Sequence, residues 1–117
     1  MLKISYVILL LFLLTALIGG CGSSHPAQVT APKTVTYTAQ IQKLVTDNCL
    51  SCHSFQKTGV TRYGAPANSN YDTYEQLVSN AVTVNSYIQA GQMPPDGGLS
   101  AADRKLFQDW LDGGKLK

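Results

Sequence analysis

Charge is scarce in this chain and evenly spread. Of 117 residues, nine are Lys or Arg and seven Asp or Glu, and no run of one sign occurs. Nucleic-acid binders carry clustered basic residues, so that class is not indicated. Metal-ligating residues are few: His25 and His53, with Cys21, Cys49 and Cys52. A structural zinc site takes about four N or S ligands. His25 and Cys21 both sit near the start of the chain, so zinc has little support. No strand pattern of useful length follows residue 36, and no βαβ pattern appears. The fold class expected is therefore all-α, and a thioredoxin-like dithiol lacks its usual setting. Long apolar runs are lacking too, apart from one at the N-terminus. The length allows one small domain at most, which has little core of its own.

That N-terminal run reads as an address. Met1-Leu2-Lys3 is a short positive start, and Ile4 to Ile18 follows without charge. The run is too short for a comfortable membrane span and matches the apolar part of a signal peptide. It ends in Leu17-Ile18-Gly19-Gly20-Cys21-Gly22, which resembles the lipobox of bacterial lipoproteins. That resemblance implies residues 1–20 as a signal peptide, cleavage before Cys21, and lipid on the Cys21 sulfur and new N-terminus. The bland alternatives are an ordinary secretory signal with a leftover thiol, or an uncleaved anchor. Acyl chains on Cys21 would fix the protein to a membrane. Gly22 is not the aspartate that retains some lipoproteins in the inner membrane, which leans weakly to the outer one. Residues 21–36 are small, polar and Pro-containing and read as a flexible tether. His25, within it, is read as a solvated bystander.

Residues 37–117 form the expected domain, and Cys49-Leu50-Ser51-Cys52-His53 is its centre. This is the C-x-x-C-H pattern of covalent haem attachment. Two thiols three positions apart can each join one edge of a porphyrin, and the adjacent imidazole then serves as the proximal iron ligand. The rival readings are a zinc half-site, a redox dithiol and a structural disulfide. A buried haem would also supply apolar surface that so small a core lacks, so the haem-free chain is expected to be marginal or unfolded.

The remaining segments are arranged around this motif. A first helix, capped by Thr38, is expected to reach Cys49 with Ile41, Leu44, Val45 and Asn48 on one face. Ser54 to Tyr71 is polar and rich in Gly, Asn and Thr, a long loop in which the Ala65 carbonyl is the expected acceptor for the His53 Nδ1 proton. Asp72 and Glu75 suggest a capping box opening a helix with Tyr74, Leu77, Val78 and Ala81 buried. A separate short helix, residues 85–90, would stop at Gly91. Met93, the sole methionine besides Met1, lies in Gly91-Gln92-Met93-Pro94-Pro95. Its thioether is a soft ligand suited to reduced iron, and the two prolines stiffen its loop. Ser100 caps a last helix with a Leu106, Phe107, Trp110, Leu111 stripe, ended by Gly113-Gly114.

The stretch from Tyr37 to Gly114 resembles the small class I cytochrome c domain, closest to bacterial members. The shared features are an N-terminal helix, C-x-x-C-H, the Met-Pro-Pro loop, Leu99-Ser100-x-x-Asp103 and a closing helix with Trp. The resemblance implies one covalent haem c held by Cys49 and Cys52, with His53 and Met93 as axial ligands. It implies a small helical fold around the haem and one-electron transfer rather than enzymatic catalysis. The partners implied are a redox donor and acceptor met transiently, with a membrane reached through the N-terminal lipid and no small-molecule substrate. The place implied is the bacterial cell envelope, facing the periplasm or the exterior. Two departures, a short chain between the ligands and no lysine ring, leave the docking partner open. The alternative reading is a five-coordinate haem enzyme or a gas or peroxide sensor, in which Met93 is not on the iron. No distal His or Arg beside a pocket can be named for it.

Overall fold

The computed structural model describes residues 33–117. Residues 1–20, Cys21 and His25 lie outside the described residues. A widened turn, the π-helical segment Tyr37–Ile41, runs directly into α1, Gln42–Asn48. Two longer helices follow: α2, Tyr74–Gln89, and α3, Ala101–Asp112. Among the described residues there is no strand, and no helix is long and apolar enough to cross a membrane. The domain is all-α, as the sequence pattern implies.

The apolar spacings that suggest helices are also the ones that build the core. Ile41, Leu44 and Val45 from the first helix meet Leu77, Ala81, Val84 and Ile88 of α2 and Phe107 and Trp110 of α3. Asn48 instead faces solvent, its side chain donating to the Leu44 carbonyl. Aromatic rings hold the helices together. Phe107 and Trp110 meet edge to face at 5.4 Å, and Tyr37 meets Tyr74 the same way at 5.3 Å, a favoured geometry for ring quadrupoles. The Leu116 carbonyl joins both ends of the domain, accepting from the Tyr37 N–H and from Trp110 Nε1, each at 2.8 Å. Trp110 is fully buried, so this bond satisfies an indole N–H that water cannot reach.

Three local expectations are corrected. The first helix is capped by Thr36, whose Oγ1 accepts from the Ala39 N–H, and not by Thr38. With Val35 packed on the core, the ordered domain takes in these two residues. The cap of α2 is Thr73, in a reciprocal capping box with Gln76. Asp72 is drawn away from that role because its carboxylate accepts from the Ser54 hydroxyl and the Phe55 N–H. Residues 85–90 are no separate helix; α2 continues through them to Gln89. Asn85 can sit buried there because its amide donates to Gln108 of α3 at 2.7 Å and its carbonyl accepts from Gln89. The Ser100 cap of α3 and its stop at Gly113 are as expected.

Neighbouring residues 72 and 73 thus serve different parts of the fold. Thr73→Ala should lower stability by about 1 kcal/mol, with Thr73→Ser restoring most of it, by urea unfolding. Asp72→Ala should instead speed hydrogen exchange at the Phe55 amide, because it frees the clasp at the start of the 54–71 loop.

Candidate functional site

The Cys49–His53 segment is a single tight turn. α1 ends at Asn48, and the Cys49 N–H still bonds the Val45 carbonyl at 2.8 Å. The Cys49 carbonyl then accepts from both the Cys52 N–H, at 3.1 Å, and the His53 N–H, at 2.8 Å. One oxygen therefore gathers both thiol-bearing residues and the imidazole. Cys49 and Cys52 are unpaired, and Cys49 packs against the core. Burial pushes its thiol up to about 11, with the neighbouring Cys52 adding to the effect. Catalytic and redox-active dithiols depend on a depressed thiol pKa, so Cys49 is poorly suited to attack a disulfide. Among the described residues no group of three or more His, Cys, Asp or Glu is placed to hold a metal ion, so the zinc half-site finds no partners among them.

The His53 imidazole is fixed in three ways. Its Nδ1 donates to the Ser69 carbonyl at 2.8 Å, not to that of Ala65, which instead accepts from Arg62 Nε. A carbonyl can only accept, so Nδ1 carries a proton, and in the neutral ring that places the lone pair on Nε2, the tautomer that a metal ligand needs. The Tyr71 ring stacks on the imidazole at 4.7 Å, 19° from parallel. The Tyr71 N–H also bonds the His53 carbonyl at 2.9 Å. Burial pushes the Tyr71 hydroxyl up, the Ser69 side chain pulls it down, and Cys49 and Tyr87 push it up further. Tyr71 thus lies between the cysteine turn and the last turns of α2.

Met93 lies in the loop that follows the C-terminal end of α2. The Gln92 and Met93 N–H groups both donate to the Tyr87 carbonyl, at 3.0 and 3.3 Å. Gly91 and Gly98, both at positive φ, close the neck of this loop, where a Cβ on Gly98 would stand 3.7 Å from the Gly91 backbone. The Gly98 N–H bonds the Pro94 carbonyl at 2.9 Å. Met93 is 37% exposed, so the residue is not sealed into the core.

Arg62 is the residue that the motifs do not reveal. It is buried, and its guanidinium bonds the carbonyls of Ser54, Lys57, Ala65, Pro66 and Ser69 and the Asn70 side chain. It is the strut of the 54–71 loop. One signal for it exists in the sequence: that loop holds Lys57 and Arg62 and no acid. A fork of five N–H donors with no local carboxylate has backbone carbonyls as its nearest acceptors.

Compared with protein-family models, with curated proteins and with solved structures, the chain finds no match. The site's chemistry therefore rests on its own geometry. Below pH 9, a thiol moved from 9.0 to about 11 yields about 100-fold less thiolate. Iodoacetamide at pH 8 should alkylate Cys49 of the folded chain about tenfold or more slower than in urea, the greater nucleophilicity of a less acidic thiolate offsetting part of the loss. The comparison is made by peptide mass spectrometry while the chain retains its helical circular dichroism. Equal rates would mean that Cys49 is not buried.

Proposed function

We propose that this chain is a c-type cytochrome, tethered by lipid to a bacterial membrane and carrying single electrons between redox partners. The observation that supports it most is the Cys49–His53 turn. It offers two unpaired thiols and an imidazole whose Nδ1 is already engaged, which leaves Nε2 as donor. This donor set fits covalent haem: Cys49 and Cys52 would carry the thioether links, and His53 Nε2 and Met93 Sδ would hold the iron. Bound there, haem supplies a one-electron couple, which a His/Met pair places towards the high side of the haem range.

The chain's own residues do the rest. Ser69 and Tyr71 hold the imidazole against rotation, so little rearrangement need accompany a change of charge. The Tyr87 carbonyl and the Gly91–Gly98 neck anchor the backbone that bears Met93. Two protein ligands would leave no position for a small-molecule substrate, which is why a carrier is preferred to an enzyme. Electrons would pass during brief encounters with donor and acceptor proteins, which suit small interfaces. Lipid on Cys21 would keep the domain at the envelope, facing the periplasm or the exterior. The five-coordinate enzyme or sensor remains the alternative, and the spectrum separates the two.

The full chain, exported by a host that attaches haem, should carry covalent haem on Cys49 and Cys52 and lipid on Cys21 by mass spectrometry. Its ferric spectrum should show a weak sulfur-to-iron band near the red end, and carbon monoxide should leave the ferrous spectrum unmoved. Met93→Ala should lose that band, bind carbon monoxide and have a lower potential. Rapid carbon monoxide binding by the unaltered protein would favour the sensor or enzyme. A chain that takes no covalent haem would overturn both readings.

A further inference from the structure

We propose that Arg62 is a positioning residue that tunes the electron density on the His53 imidazole through the Ser69 carbonyl. The inference rests on the haem reading above. His53 Nδ1 donates to the Ser69 oxygen at 2.8 Å, and Arg62 Nη2 donates to the same oxygen at 3.3 Å. A guanidinium and the candidate iron ligand thus compete for one acceptor.

The state of Arg62 makes this competition consequential. The residue is 6% exposed. Its Nε bonds Ala65 O at 3.0 Å; its Nη1 bonds Ser54 O at 2.9 Å, Lys57 O at 3.2 Å and Asn70 Oδ1 at 2.9 Å; its Nη2 also bonds Pro66 O. Every one of these acceptors is neutral. The ion pairs among the described residues are Lys43–Asp47, Lys105–Asp109 and Lys117–Glu75, and Arg62 is in none of them. Six acceptors around five N–H groups leave no donor for an outside anion, so an anion-binding role is excluded. What remains is a buried positive charge that no carboxylate touches, the Asp72 carboxylate being engaged by the Ser54 hydroxyl and the Phe55 N–H instead, in surroundings that screen it less than water does.

Both effects of that charge on the site have the same sign. An oxygen polarised by a guanidinium accepts less strongly from Nδ1–H. The imidazole then has less anionic character, and Nε2 is a weaker donor, because an acceptor on the far ring nitrogen acts by raising the ligand's basicity. The field of the cation also opposes a gain of positive charge at the iron position. Each raises the potential, so removing the charge lowers it.

The test uses the haem-loaded full chain and two readouts, the midpoint potential and the His53 Nδ1–H proton resonance of the reduced protein. In Arg62→Gln, the ratio of oxidised to reduced protein at a fixed poise should rise at least about tenfold, a fall of about 59 mV for a one-electron couple. The Nδ1–H resonance should move downfield as its hydrogen bond strengthens. Arg62→Lys, which keeps the charge, should retain more than half of the potential difference. Should either variant fail to fold, Asn70→Asp serves, since it sets a carboxylate on Nη1 in place of an amide of the same shape. It should lower the potential and shift the resonance in the same direction, and both changes should persist at high salt. Unchanged potentials would overturn the inference, as would a potential that falls while the resonance stays still. Equal losses in the Lys and Gln variants would reduce Arg62 to a strut and overturn it too. Each of these leaves the haem reading standing, whereas an unaltered protein that takes up no covalent haem defeats both.

Discussion

The Ser69 carbonyl oxygen accepts from two sides, from the His53 imidazole and from the Arg62 guanidinium. That convergence makes the 54–71 loop and the candidate ligand one mechanical unit. Most of the loop is small or polar, and its large apolar residues Phe55, Val60 and Tyr63 are exposed, so it buries little apolar surface before Tyr71. Its carbonyls nonetheless turn inward, and inward carbonyls need donors. The Arg62 fork supplies them as a group, and the ends of the loop are closed by Tyr71 on His53 and by Asp72 on Ser54 and Phe55. Order in this segment comes from polar saturation around one cation rather than from hydrophobic burial. A buried charge costs free energy unless it is well hydrogen-bonded, and six neutral acceptors meet that condition without cancelling the charge.

The helices contribute the opposite kind of order. Phe107, Trp110, Ile41 and Leu77 are fully buried, and the two contacts at the Leu116 carbonyl tie the first helix to the last. This frame fixes where α1 ends, and hence where the Cys49–His53 turn begins. Cys49 belongs to both regimes. It packs on the apolar core, and that burial keeps its thiol protonated. A cysteine placed for thiolate chemistry would sit in the electropositive, partly exposed setting that lowers a thiol pKa.

What could be read from the sequence follows the same division. The apolar stripes of all three helices were legible because burial on a helix is periodic. The Ser100 cap was legible because its Asp103 partner lies three residues on. The sequence pattern places the α2 cap one residue early, since Asp72 and Thr73 can both cap a helix and it is Ser54, far away in the chain, that takes Asp72. The break expected before Asn85 failed because Gln108 on α3 satisfies that buried amide. The acceptor for His53 was expected at Ala65 and lies at Ser69. Every residue carries a carbonyl, so no side-chain type marks the one that will be used. Arg62 is hard to read for a related reason: all but one of its partners are backbone carbonyls, and the sequence signals it only by a loop with no acid to pair it.

The two candidate axial groups are consequently held with unequal firmness. His53 is held by a hydrogen bond at Nδ1, by a stacked ring and by a backbone bond from Tyr71. Met93 is anchored through its backbone alone, at Tyr87 and at the glycine neck, while its side chain is partly exposed. Local opening in proteins starts where buried contacts are few. Under the proposed function, therefore, the imidazole is the fixed reference of the site and the thioether its adjustable partner. Control of the potential by residues outside the ligand set would then fall to the His53 side, where the ring bonds a carbonyl that the Arg62 guanidinium also bonds.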